Sequence, residues 1–171
     1  MSDARWHLAQ LNVGRLLEPL DSPTIDGFRA QLEPINALAD GHPGFVWRLQ
    51  TDAGNATDLR PTEDDQFVIN MSVWGSIEAL RAFTYTTAHV QVLRQRRSWF
   101  EALAEAHLVL WWIPAGHIPT IEEALARLDR LRRDGPTPAA FTFRAPYEPQ
   151  AVDPGDPLVD AEFCWPMLAA G

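Results

Sequence analysis

Amide, hydroxyl and aromatic side chains gathered on one side of a strand are the raw material of a small-molecule site. The stretch Val68-Ile69-Asn70-Met71-Ser72-Val73-Trp74 alternates so that Val68, Asn70, Ser72 and Trp74 share one sheet face, while Phe67, Ile69, Met71 and Val73 share the other. The second set is plainly core. The first combines apolar bodies, fixed polar groups and a large aromatic, the makeup of a pocket wall. A second two-faced strand, "RWHLAQLNV", contributes Gln10 and Asn12 beside Trp6 and Leu8. A third, "FVWRLQT", places Arg48 with Val46 and Gln50, opposite Phe45, Trp47 and Leu49. Amides and a guanidinium on an apolar wall can hold the oxygen of a phenol, enolate or carboxylate and stabilise charge as it develops. The alternative is that these groups face water or the seam of a dimer.

His89 falls near a predicted helix N-terminus beside this face, where a neutral imidazole can ligate haem iron or act as a general base. A surface or satisfied core histidine is the competing reading. Arg94, Arg96 and Arg97 read as a solvated helix face, or as partners for haem propionates or an acidic substrate. His117, between prolines in "PAGHIP", is a candidate rim residue or a turn stabiliser. His7, His42 and His107 show no HxH or HExxH spacing, and Cys164 stands alone, so no dedicated metal site is expected. Gly-rich phosphate loops, flavin or nucleotide motifs, GxSxG elbows and Cys-His pairs are absent from the sequence.

The elements that must position these groups follow from periodicity. Ser22-Pro23 starts a helix with Ile25, Phe28, Leu32, Ile35 and Leu38 inward, bent or broken near Pro34, and "GHPGF" stops it. "DAGNATDLRPTEDD" is a surface loop before "QFVINMSVW". Ser76 caps a short helix through "IEALRAFTY", and a longer helix is expected over "TAHVQVLRQRRSWFEALAEA" with Val90, Leu93, Phe100 and Leu103 inward. "HLVLWWIPA" is apolar on both faces, so both sides of the sheet must be covered there, with Trp111 and Trp112 pointing oppositely. Thr120-Ile121-Glu122-Glu123 has the capping-box form for a helix over 120–134, and "AAFTF" reads as an edge strand. The order strand, helix, strand, strand, helix, strand is the α+β, ferredoxin-like split βαβ arrangement. Its helices cover one sheet face; a second copy packed face to face, closing a dimeric α+β barrel, would cover the other. Residues 1–144 form this domain with the appended helix, and 145–171 form a proline-rich tail whose "FCWPML" patch suggests docking.

Composition narrows the partners. A net charge of -9, from 23 acidic and 14 basic residues, argues against nucleic acid or an anionic membrane. No apolar run approaches the roughly 20 residues that span a bilayer, and "MSDARWHLAQ" has no targeting character, so a cytoplasmic protein is expected. Seven tryptophans must be buried in the fold, in an oligomer contact or around a ligand.

With "NMSVWGSIEALRAF" in its place after the third strand, the sequence resembles the dimeric α+β barrel superfamily of antibiotic-biosynthesis and haem-degrading monooxygenases. "WHLAQLNVGR", "PGFVWRLQT", "SWFEALAEAHLVLWWIPAGHIPTIEEA" and "GPTPAAFTF" are more closely similar to an uncharacterised bacterial domain-of-unknown-function family within it, over about residues 5 to 144. Resemblance to the haem-degrading members implies roles for Asn12, Trp74 and His89. Resemblance to the cofactor-independent quinone-forming members implies that Asn70, Trp74 and Tyr85 orient an aromatic substrate. Three functions are therefore expected to compete. The first is a monooxygenase-like enzyme for a small aromatic or polyketide-like molecule, with Asn70, Trp74 and His89 catalytic and Asn12, Gln10, Arg48, Ser72, Tyr85 and His117 binding. The second is a haem protein using His89. The third is a homodimeric ligand-binding or interaction module without chemistry.

Overall fold

The central strand β1 (Trp6–Arg15) is buried along most of its length, and its alternation decides what lies on each side of the sheet. In the computed structural model, which describes residues 5–52, 54–57 and 59–149, β1 pairs antiparallel with β3 (Phe67–Trp74) and with β4 (Leu108–Pro114), and β2 (Phe45–Arg48) adds to β3. The order β2-β3-β1-β4 is the ferredoxin-like α+β sheet expected from the element sequence. The appended tail and its "FCWPML" patch lie outside the described residues from 150 onward. The described start of that segment is docked, since the Tyr147 carbonyl accepts a hydrogen bond from the Trp112 indole at 2.7 Å.

The centre of one sheet face is apolar. Ala9, Leu11, Val13, Met71, Val73 and Trp111 are all at most 1% exposed and pack beneath α4 (Ile121–Asp134) through Ala124, Leu128 and Leu131. This corrects the expectation that a second copy covers this face. α4 lies across that face in the same chain, and a second copy is not needed to bury it. Thr120 caps α4 as its motif requires, accepting from the Glu123 amide at 3.1 Å. The Glu123 carboxylate does not complete the capping box, because the Trp111 indole and His117 both donate to it instead.

The opposite face meets α1 (Asp26–Asp40), α2 (Ile77–Thr86) and α3 (His89–Gln95). Ser22 and Pro23 open a short 3-10 turn that leads into α1, and α1 runs unbroken through Pro34 rather than breaking there. Of its predicted inward residues, Ile25 is fully buried but Leu38 is 42% exposed. Ser76 caps α2, its hydroxyl accepting from the Ala79 amide at 3.1 Å.

Three elements depart from expectation. The helix after α2 is short: it gives way to a 3-10 turn at Arg96–Ser98, and Phe100 then bridges Leu16 as an extended residue. Packing overrides helical periodicity here, because Trp99 buries against Leu16, Ile25 and Val68, and the Glu101 amide and carboxylate are both held by Arg15. β2 is also short and carries a bulge between Phe45 and Trp47. That irregularity sends Phe45 to the helix-covered face and Trp47 to the α4 face, where strict alternation put them together. Finally, "AAFTF" supplies a single bridge from Phe141 to Leu110 on the free edge of β4, not a full strand.

Candidate functional site

Between the mixed face of β1 and β3 and the three helices α1, α2 and α3 lies a cavity of about 310 Å³. The face is therefore covered by helices and is not a sheet-to-sheet seam. Its floor is set by strand register: Asn12 pairs with Asn70, and Gln10 with Ser72, so four polar side chains stand on neighbouring rungs of β1 and β3. Phe28, Leu32, Leu80 and Phe83 supply apolar walls from α1 and α2.

Gln10 organises the floor. Its Nε2 donates to Asn70 Oδ1 at 2.8 Å and to Ser72 Oγ at 3.0 Å, which uses both of its hydrogens. Ser72 Oγ also accepts from Trp74 Nε1 at 2.8 Å. With its Oδ1 engaged by Gln10, the exposed Asn70 amide keeps its Nδ2 donors for whatever fills the cavity. The half-buried Asn12 side chain makes no hydrogen bond among the described residues, so it is a second available amide.

His89 opens α3 and lines the same space. Its Nδ1 lies 3.4 Å from the Thr84 carbonyl oxygen. That contact favours the tautomer with the proton on Nδ1 and leaves Nε2 with a lone pair. Burial lowers the pKa of His89 below the ordinary imidazole value, more than the Thr84 hydrogen bond raises it, so the ring is neutral at pH 7. A neutral, oriented imidazole in an apolar cavity is equipped to take a proton or to ligate a metal centre.

The structure gathers Gln10, Asn12, Asn70, Ser72 and His89 as expected, with Tyr85 at the rim, 53% exposed and set edge-on against Phe143. Three expected residues stand elsewhere. Trp74 is 1% exposed and forms no part of the cavity wall. Phe83 stacks over it with centroids 5.1 Å apart, and Phe45 and His42 meet it edge-on. Phe83 is thus the ring presented to a ligand, and Trp74 supports it while fixing Ser72. Arg48 sits on the expected face, but its fork is held by both Asp40 oxygens, at 2.7 and 3.1 Å, and by the Gly54 carbonyl at 2.7 Å. It ties α1 to the loop after β2 and does not reach the cavity. His117 lies under α4 on the far side of the sheet, with Nε2 2.8 Å from Glu123 Oε2. Burial raises the Glu123 carboxyl, yet the hydrogen bonds from His117 and Trp111, with the charges of His117 and Arg127, hold it below its usual value. This cluster is a structural clamp for α4.

Sequence reasoning missed Phe83 and His107 as lining residues and grouped Arg96 with its solvated neighbours. A helical reading of 87–106 hid the last two, since the chain turns at Arg96–Ser98 and brings Arg96, Phe100 and His107 to one end of the cavity.

No cluster of metal-ligating side chains occurs among the described residues. No helix among them is long and apolar enough to cross a membrane.

No curated protein matches the sequence. Solved structures resemble the chain at low identity. SnoaB, a cofactor-independent oxygenase from Streptomyces nogalater, is 15% identical with a TM-score of 0.42 over 67% of this chain and 96% of its own. A candidate antibiotic biosynthesis monooxygenase of Chloroflexus aurantiacus is 19% identical, with a TM-score of 0.39 over 67% of this chain and 98% of its own. A Nitrosomonas europaea protein of unknown function is 11% identical, with a TM-score of 0.42 over 68% of this chain and 98% of its own. The profile of one family matches residues 7–155, nearly the whole of the domain built above. The chain belongs to that family, the domain of unknown function DUF3291.

Proposed function

We propose that the protein is a monooxygenase-like enzyme that oxidises a small aromatic or polyketide-like phenol in this cavity without a cofactor. The observation that supports the reading is one largely apolar space shared by a neutral His89 and the available amides of Asn12 and Asn70. His89 Nε2 takes the proton of the substrate hydroxyl, and the amide donors stabilise the phenolate. The electron-rich ring then reduces oxygen. One oxygen atom enters the ring and the other leaves as water, so that one phenol and one O₂ give one quinone and one water.

Oxygen uptake measured on a panel of polycyclic phenols tests this. Quinone formation should fall about 100-fold or more in His89→Ala and in Asn70→Ala, magnitudes typical of a lost general base and a lost oxyanion donor. Unchanged rates in folded variants would sink the proposal.

A haem-binding reading has one observation in its favour: His89 and Arg96 line the same cavity, where they would hold the iron and a propionate. Bound haem would supply oxygen or peroxide chemistry of its own. At about 310 Å³ the cavity lies at the small end of the ligand-site range, which favours the smaller aromatic molecule. Haemin titration beside His89→Ala separates the two, since only the haem reading expects a saturable Soret shift that the substitution abolishes.

The homodimer belongs to the proposal on the strength of the family resemblance. Light scattering at twice the chain mass of 19.2 kDa supports it, and 19.2 kDa removes it.

A further inference from the structure

The cavity differs from the rest of the molecule in charge. The chain carries 23 acidic residues, yet no Asp or Glu is among the described residues that line this space. Among those residues the one fixed charge is Arg96, which lines the space beside Phe100 and His107. Most arginines that touch other groups are spoken for: Arg15 holds Asp64 and Glu101, Arg48 holds Asp40, Arg132 reaches Glu105, and Arg133 holds Asp134. Among the described residues Arg96 has no carboxylate partner. Its guanidinium sits instead over the Phe100 ring, 5.6 Å from the centroid. It is half-buried, whereas its neighbours Arg94 and Arg97 are exposed.

Desolvating a guanidinium without a counter-charge is unfavourable, and burial lowers the pKa of Arg96 accordingly. The adjacent His107 is pushed down by burial and then by the Arg96 charge, so it adds no second cation at pH 7. A planar donor fork in an acid-free, apolar space matches a carboxylate or another planar anion, which it can bind through two parallel hydrogen bonds.

We propose that the cavity selects a mono-anionic aromatic ligand, with Arg96 anchoring its carboxylate or enolate at one end and the Asn12 and Asn70 amides meeting its oxygen substituents. The inference rests on the reading of this cavity as a ligand site and adds the charge of the ligand. Arg96 is a binding residue here and takes no part in proton transfer.

Calorimetric titration with 2-naphthoate and its neutral counterpart 2-naphthamide tests the proposal on the intact chain. Naphthoate should bind at least tenfold more tightly than the amide, the order expected of a charge-assisted hydrogen bond in a partly buried site. Arg96→Gln should erase that preference, Arg96→Lys should restore part of it, and Arg94→Gln should alter nothing. Equal binding of the two probes, or a preference that survives Arg96→Gln, overturns the anion selectivity and leaves the cavity reading standing. Binding of neither probe overturns both.

Discussion

Individual side chains on this sheet divide into those that a ligand meets and those that hold them still. Gln10 and Trp74 converge on Ser72, and Gln10 also engages the Asn70 Oδ1, so the Asn70 Nδ2 donors are left for the cavity. The residue types were legible from strand alternation alone. Their division of labour was not, because alternation reports a face and says nothing of depth: Trp74 lies on the right face but beneath Phe83. His89 carries the prediction at this scale. Its burial lowers the pKa, so the neutral, proton-accepting form persists at pH 7 and is lost only as pH falls below the ordinary imidazole value of about 6.5. The acid limb of the kcat/KM profile should therefore lie below about 6.5, with Arg96, His107 and Tyr85 the other titratable or charged groups of the cavity. Stability follows the same sign. The unfolded chain protonates this histidine first, so stability is complete above about 6.5 and declines as pH drops toward the lower folded value. A kcat/KM profile already falling above pH 7 on its acid side would contradict the assignment.

At the scale of elements, the helices and strands with strong local signals formed where their caps and periods placed them. β1, β3, β4 and α4 are of this kind, each bounded by turn residues or capped by a hydroxyl. The segments that depart from expectation are those where a tertiary contact outweighs the local pattern. Trp99 and Phe100 leave the helical path to fill the space beneath Phe28 and Val68, and the β2 bulge changes which face Trp47 joins. No window of sequence contains those partners. The turn from α1 into β2 shows how tightly one such junction is held. Gly44 has φ of +85°, and a Cβ added there would come within 2.6 Å of the Ala79 Cβ on α2. Gly44→Ala combines a left-handed conformation, costing about 1–2 kcal/mol for an L-residue, with a clash against a helix that supports the cavity. The midpoint temperature should drop by at least about 2 °C, using about 2–4 °C per kcal/mol for a chain of this length. A thermal melt by circular dichroism checks it, and an unchanged midpoint would mean that α2 yields freely at this contact.

Over the whole molecule the sheet separates two tasks. Its α4 side is a sealed apolar layer, and its other side combines a smaller aromatic cluster with the polar-floored cavity. Strand alternation predicts that division, but it does not show that α4, which follows the last strand, folds back as the covering layer. In the structure α4 is the lid of the core: Leu128 is 1% exposed and packs with Ala124 and Leu131 against the sheet. Leu128→Ala should cost about 2–5 kcal/mol, the range for truncating a buried leucine, read as a lower urea midpoint. Because Leu128 packs on the opposite face of the sheet and lines no part of the cavity, the two free energies should add independently. Affinity for 2-naphthoate should accordingly stay within about twofold of the unmodified protein under native conditions. A loss of both stability and affinity would show that the sheet transmits strain between its faces, and that α4 belongs to the site as well as to the core.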